Sequence, residues 1–403
     1  FYKREAADGQ KMLVNSALLA EYNGVPVCTN QQTKYVQGFN DMTENRANTI
    51  AEMYDLDNRT FLETLCGVKY FMAEEGQSDY IPYGFEKYKV SGNTIIYKNN
   101  NYLPLGVTYS SILNPEEFAA MNPVQRQEAM LQGIQISEDY SGIKNQYMET
   151  KVELNSENLD YVLKDVSGVE INGTTYNVYE DGAKITLQFE SIENAELYFR
   201  VVGFSADKLG DVDIDCTVSV SRDGEEFSKS FKVRSATNQY TIPGKYNYLT
   251  NLGYQEEKVS EITFTFPVCG EYEIKGIEIY EQKLDDYSDY VGLLKREILQ
   301  DVEISTNNIA GTIKVSEDKI LYLAIPYSEG WTALIDGEET EIYRANEMFM
   351  CVPLEAGEHT VELEYQTPGL KVGTVITMFS FGVFFLLLCY RCKVGKNRLT
   401  IQE

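Results

Sequence analysis

The chain has 403 residues, a formal net charge of −27 and a hydrophobic fraction of 43%, which excludes a disordered chain and gives room for two or three domains with proper cores. So acidic a field repels nucleic-acid phosphates and anionic lipid, and nucleic acid is set aside as a partner. An anionic surface polymer could approach only with divalent cations bridging the two charges.

In chain order, MLVNSALLAEY carries apolar residues at helical spacing (Leu13, Ala17, Ala20, with Leu18 beside them) and is stopped by Asn23-Gly24. Thr29 to Arg46 is polar and shows no strong period. ANTIAEMYDLDNRTFLETL predicts one or two helical pieces, GVKYFMA a strand, and Glu74 to Asp79 a loop. KYKVSGNTIIYKNN alternates as a hairpin turning at Ser91-Gly92-Asn93. Asn114-Pro115-Glu116-Glu117 and Asn122-Pro123 each read as an N-cap followed by proline, starting two short helices whose buried faces would be Phe118, Met121, Ala129, Met130 and Ile134. Gly133 ends the second.

From Lys151 the period becomes that of strands. YNVYE, KITLQFE, AELYFRVVGF, DIDCTVSVS, FSKSFKV, YTI, EITFTFPV and YEIKGIEIYE are separated by Asp181-Gly182, Asp223-Gly224, Pro243-Gly244 and Gly270. Asp-Gly between alternating apolar runs is a strong hairpin signal, and strands at this spacing argue for a sandwich of jelly-roll type. DDYSDYVGLLKREIL predicts an amphipathic linking helix, with Tyr290, Leu293, Leu294 and Ile298 on one side. Asp301 to Tyr365 is strand-rich again, with tight turns at Asp336-Gly337 and Gly357, and predicts a second, smaller sandwich.

Val372 to Tyr390 then runs without a charged or amide side chain. A helix of ~19 residues rises about 28 Å, close to the ~30 Å of a bilayer's hydrocarbon. Arg391, Lys393, Lys396 and Arg398 follow it, a basic flank that a buried core helix would not need and that places the tail in the cytoplasm and the bulk outside. Phe1 is not a start methionine and no secretory signal opens the chain, so the bulk is expected to be carried across by membrane segments upstream, in a longer protein. The fold class is therefore α+β, mostly β: a mixed α/β extracytoplasmic unit over 1–150, a β-sandwich over 151–283, a helix plus second sandwich over 284–368, a transmembrane helix over 369–391 and a basic cytoplasmic tail over 392–403.

Few residues point to chemistry. No phosphate loop, dinucleotide fingerprint, HExxH, EF-hand or nucleophile elbow occurs. Asp211, Asp213 and Asp215 alternate on one side of a strand and read as a solvated face rather than a metal site. The seven cysteines are scattered; Cys216 and Cys269 fall in strands of one domain and could bridge, while Cys389 and Cys392 lie at the membrane's inner edge. The single histidine, His359, has no nucleophile motif beside it. Substrate-binding candidates are aromatic: Tyr327 and Trp331, near Tyr343 and Gly330, offer the flat faces that sugars stack on. The plainer reading puts this lone tryptophan in the core, with Gly330 supplying a turn or bulge. No catalytic or metal residue is assigned.

IPYSEGWTALIDGEETEI (Ile325 to Ile342) and ANEMFMCVPLEAGEHTVELEYQTPGLKVG resemble the C-terminal hallmark of the YfhO family of bacterial membrane proteins. FYKRE, LCGVKYF, NYLPLGVTYS and EEFAAMNPVQRQEAML agree in the same order, so the resemblance covers nearly the whole chain, most weakly Lys151 to Lys283. Cys66 stands where an aliphatic residue is expected, and Lys3 where arginine is usual. The family is similar to multi-spanning glycosyltransferases of the GT-C type. The resemblance thus implies a polyprenyl-phosphate-linked sugar donor, a cell-surface glycopolymer acceptor such as teichoic acid, and a bacterial plasma membrane location. The catalytic carboxylate is expected on an early outward loop of the upstream transmembrane half, and no cofactor in this part. The other reading is a membrane-tethered glycan-binding or structural ectodomain without catalysis.

Overall fold

The computed structural model describes residues 2–4, 23–25, 27–28, 33–45, 52–53, 55–77, 80–137 and 146–399, except 223, 236, 240 and 243. The helix expected in MLVNSALLAEY lies outside them. The chain is mostly β, with two sandwiches and one apolar helix at its C-terminal end.

The N-terminal part builds a sheet in the order Tyr2–Arg4, Tyr70–Glu74, Thr94–Asn99, Phe85–Ser91. The last two form the expected hairpin, Gly92 taking φ 61° at its turn. A helix, Lys34–Thr43, occupies the stretch where no period was evident. Its buried residues include Asn40 and Thr43 as well as Tyr35 and Phe39, so its inner face is half polar and periodicity could not reveal it. Of the helical pieces expected over 47–65, the described residues form one, Thr60–Leu65, preceded by left-handed Asp57 (φ 52°) and Asn58 (φ 57°). The helices Pro115–Ala120 and Pro123–Gln132 begin as expected, and Asn122 and Gln125 complete a capping box.

In the middle sandwich a five-stranded antiparallel sheet (Tyr161–Ser167, Lys184–Ile192, Val259–Thr265, Ile214–Arg222, Glu225–Val233) faces a four-stranded one (Ser156–Asn158, Gly276–Lys283, Ala195–Val202, Tyr248–Gln255). Strands distant in sequence lie side by side, as in a jelly roll. Alternate residues of both sheets meet in an aromatic core where Phe199 stacks on Phe264 at 5.5 Å and Phe231 on Tyr248 at 4.9 Å. The strand Tyr248–Gln255 was not foreseen, because it carries Asn251 and Gly253. No strand forms at the described residues of YTI. Cys216 and Cys269 are both free thiols, Cys216 buried and Cys269 exposed in the bend before the strand Gly270–Glu273. The carboxylates of Asp213 and Asp215 face solvent and pair with Arg234 and Lys232.

The second sandwich sets Gln300–Ile304, Asn308–Val315, Gly357–Tyr365, Trp331–Ile335 and Glu338–Thr340 against Tyr343–Ala345, Phe349–Leu354, Lys319–Pro326 and Gly106–Tyr109. The last strand comes from the expected 1–150 unit: residues 106–109 pair with 320–323. One core cluster likewise joins Phe39, Phe61, Ile112 and Met130 to Leu294, Tyr322 and Phe349. The linking helix Tyr287–Leu294 buries Tyr287, Val291 and Leu294 there, and leaves Leu293 of its expected face exposed.

A second, polar seam holds the middle sandwich to the rest. Lys229 Nζ meets Asp57 Oδ1 at 2.9 Å with both side chains 2% exposed, and Asp57 Oδ2 accepts the Asn251 amide at 2.6 Å. Buried Arg59 donates to Gln127 Oε1 and to the carbonyls of Thr43 and Pro123, while Glu196 accepts from Thr60 and from Tyr198 Oη. Burial pushes the Glu196 carboxyl up, opposed by the Thr60 and Tyr198 hydrogen bonds and by Arg59. In so dry a seam each charge is held only because a partner faces it.

The helix Leu370–Leu399 leaves this body directly. Its 22 residues Leu370–Arg391 are long and apolar enough to cross a membrane, and none is buried against the protein.

Candidate functional site

The first concave feature is a groove where the linking helix meets both the N-terminal part and the second sandwich. One end, about 480 Å³, lies between Tyr290 of the helix, Thr108 of the crossing strand and Lys319. The other, about 860 Å³, extends past Tyr147 and Met148, and the two share Ser110, Ser111, Thr150, Ser316 and Glu317. Lys319 Nζ is held by Glu317 at 2.6 Å with Glu297 at 3.9 Å, and its hydrogen bond, then its charge, draws the Glu317 carboxyl down. Burial, then the nearby carboxylates of Glu128 and Asp286, pushes the Tyr290 phenol up to about 12. Hydroxyls, carboxylates and the half-buried Tyr290 ring in an open channel suit a polyhydroxylated chain.

The second is a cleft of about 530 Å³ between the edge of the second sandwich and the first turn of the apolar helix. Tyr365 and Gln366 at the end of the last strand line it together with Asn307, Asn308, Thr332 and Lys371. Chain geometry forces this proximity: Gln366 N–H bonds to the Gly330 carbonyl at 2.8 Å and the helix starts four residues later.

The two aromatic residues singled out from the sequence pack against different partners. Tyr327 meets Tyr35 edge-on at 5.0 Å, and the Arg344 guanidinium lies 5.0 Å over the Tyr35 ring, a structural stack. Trp331 is half-buried on the second core, its ring 5.2 Å from that of Tyr365. It is thus neither wholly core nor free, and its neighbour lines the membrane-side cleft. Gly330 sits in a turn, as expected; a side chain there would meet the Gln366 carbonyl at 2.5 Å. Sequence reasoning missed Tyr365, whose one signal is its place as the last strand residue before the span. It missed the groove entirely, since Ser110 and Ser316 are too far apart in the chain to suggest each other. Among the described residues no group of three or more histidine, cysteine or acidic side chains is arranged to hold a metal.

The family described as "Bacterial membrane protein YfhO" matches residues 2–377. The chain belongs to the YfhO family. A relative in Bacillus subtilis strain 168, "Uncharacterized protein YfhO", is 24% identical over 388 residues, covering 92% of this chain and 42% of the relative. The chain therefore spans less than half the length of that YfhO protein. Solved structures overlap it only loosely. A low-affinity xylan-binding module from Roseburia intestinalis is 12% identical over 32% of this chain and 96% of the module, at a TM-score of 0.20. The mycobacterial arabinofuranosyltransferase AftD is 12% identical over 44% of this chain and 14% of that one, at a TM-score of 0.19. At such scores neither likeness carries an argument. Family membership and the unburied apolar helix make this YfhO chain a membrane-associated protein.

Proposed function

We propose that the chain forms the outward-facing domains and last span of a membrane glycosyltransferase. The whole protein would take a sugar from a polyprenyl-phosphate donor and attach it to a cell-surface glycopolymer, teichoic acid being one such acceptor. The observation that carries this reading is the family match over 2–377 in a chain that ends in an unburied apolar helix. The basic run from Arg391 to Arg398 supports a cytoplasmic tail and an extracytoplasmic bulk. In this arrangement the shared-core body stands close over the bilayer, where its groove steadies the acceptor while chemistry occurs in the upstream spans. The donor and the catalytic carboxylate belong to those spans and not to this part.

The test is transfer of labelled sugar from polyprenyl phosphate to cell-wall polymer by the full-length protein in membranes. Activity is expected, with at least a hundredfold loss, on the scale of general acid–base catalysis, when the acidic residue of the first outward loop is replaced by its amide. Unchanged transfer in that variant would refute the assignment. The second reading, a tethered glycan-binding ectodomain without catalysis, draws on the hydroxyl-lined groove and half-exposed Trp331. It would take over if the same membranes retained polysaccharide but transferred nothing.

A further inference from the structure

Acidic residues outnumber lysines and arginines 62 to 35 in this chain, so a cation seldom lacks an acid to face. The half-buried guanidinium groups show it: Arg200 meets Glu44 and Glu278, Arg234 meets Asp213, and Arg344 meets Glu347.

One place breaks the pattern. Lys69, immediately before the strand Tyr70–Glu74, and Lys295, at the C-terminal cap of the linking helix, both reach the ring of Tyr102. Lys69 Nζ stands 4.7 Å from the centre of that ring and 5.6 Å from that of Tyr70, and Lys295 Nζ stands 5.4 Å from Tyr102. All four residues are half-buried. Among the described residues neither ammonium pairs with a carboxylate, and the Lys295 ammonium donates to the Asn100 carbonyl at 3.4 Å. Burial pushes the Lys295 ammonium down, with no carboxylate acting against it.

A ring face attracts a cation, and so does the C-terminal end of a helix. Either effect accounts for one lysine here, not for two over the same ring. The ammonium groups can be no further apart than the sum of their two ring distances, close to the ~8 Å over which salt screens charge. They therefore repel each other. We propose that Lys69 and Lys295 bind a phosphate group beside Tyr102. Two ammonium groups suit the charge of a phosphate, and the flexible lysine stems let both turn onto one anion as point charges. A phosphomonoester or phosphodiester supplies that group, whether on a lipid head group or on a soluble chain. Locally the pair reverses the repulsion that the acidic surface at large exerts on anions. The inference concerns anion binding alone and stands whether or not the whole protein transfers sugar.

The test follows thermal unfolding of the chain in phosphatidylcholine nanodiscs by circular dichroism, at pH 7 and constant ionic strength, as millimolar sodium phosphate replaces sodium chloride. Phosphate should raise the midpoint and saturate, as a ligand of the folded state does. Lys69→Gln and Lys295→Gln should each raise the midpoint in chloride, by relieving the repulsion. Each should also weaken phosphate binding at least about tenfold, the equivalent of ~1.4 kcal/mol. Glycerol phosphate acting as well as inorganic phosphate would support the site and assign the group to a soluble chain. Phosphatidylglycerol in the disc acting where glycerol phosphate does not would support it and assign the group to lipid. Three results would each overturn the proposal: no effect of phosphate on the unaltered chain, variants less stable than that chain in chloride, or an unsaturated rise shared by both variants. The last is the stabilisation that phosphate exerts on proteins at large through exclusion from their surfaces.

Discussion

His359 Nδ1 lies 2.7 Å from Asp336 Oδ2 and its Nε2 2.9 Å from the Glu355 carbonyl, so both ring nitrogens face acceptors. Burial opposes the charged ring, but the Asp336 and Glu355 hydrogen bonds outweigh it and raise the imidazole above its ordinary value. Asp336 is held low by the Thr360 amide and then by His359. A raised histidine contributes stability that is fully present below the unfolded value near 6.5 and is lost as pH rises through the folded one. The melting temperature of the chain in detergent should therefore fall slightly between pH 6 and pH 8. Asp336→Asn should flatten that slope; an unchanged slope would show that the pair does not titrate. The residue was visible in the sequence, but its two acceptors came from a turn and from a strand end that sequence alone does not bring together.

The helix Pro123–Gln132 shows how local and tertiary demands coincide. Its start is written locally: Asn122 accepts from the Val124 and Gln125 amides at 2.9 Å, and Gln125 returns a bond to the Asn122 amide at 3.1 Å. What the helix must do is tertiary, since it delivers Gln127 to Arg59, Tyr198 and Gln282 within the buried seam. Asn122→Ala should cost about 1 kcal/mol of stability, read from denaturant midpoints. Capped helices and Asp-Gly hairpins were legible because their signals span a few neighbouring residues. Lys34–Thr43 and Tyr248–Gln255 were not, because their buried faces include the polar Asn40, Thr43 and Asn251, which break the apolar period.

Across the whole molecule, the polar seam decides whether the middle sandwich and the rest of the body act as one piece. Lys229→Met removes the ammonium that faces the Asp57 carboxylate at 2.9 Å in a dry site. Breaking a buried pair on one side costs about 3–5 kcal/mol. Unfolding of this variant by urea should shift to a lower midpoint by that amount, whereas a surface pair such as Lys314–Glu358, exposed on both sides, should shift it little on substitution. A seam worth nothing would leave the midpoint in place and free the sandwich to move over the groove.

The sequence by itself determined the class of each segment: mostly strands, two sandwiches, capped helices and one apolar run of spanning length with a basic flank. These rest on periodicity, turn chemistry and transfer free energy, which act over short stretches of chain. Only the tertiary structure decided that residues 106–109 complete the second sandwich, that Asp57 meets Lys229, and that Trp331 packs its ring on Tyr365. Those contacts are chosen by the burial of distant surfaces against one another, and no short window of sequence carries that information.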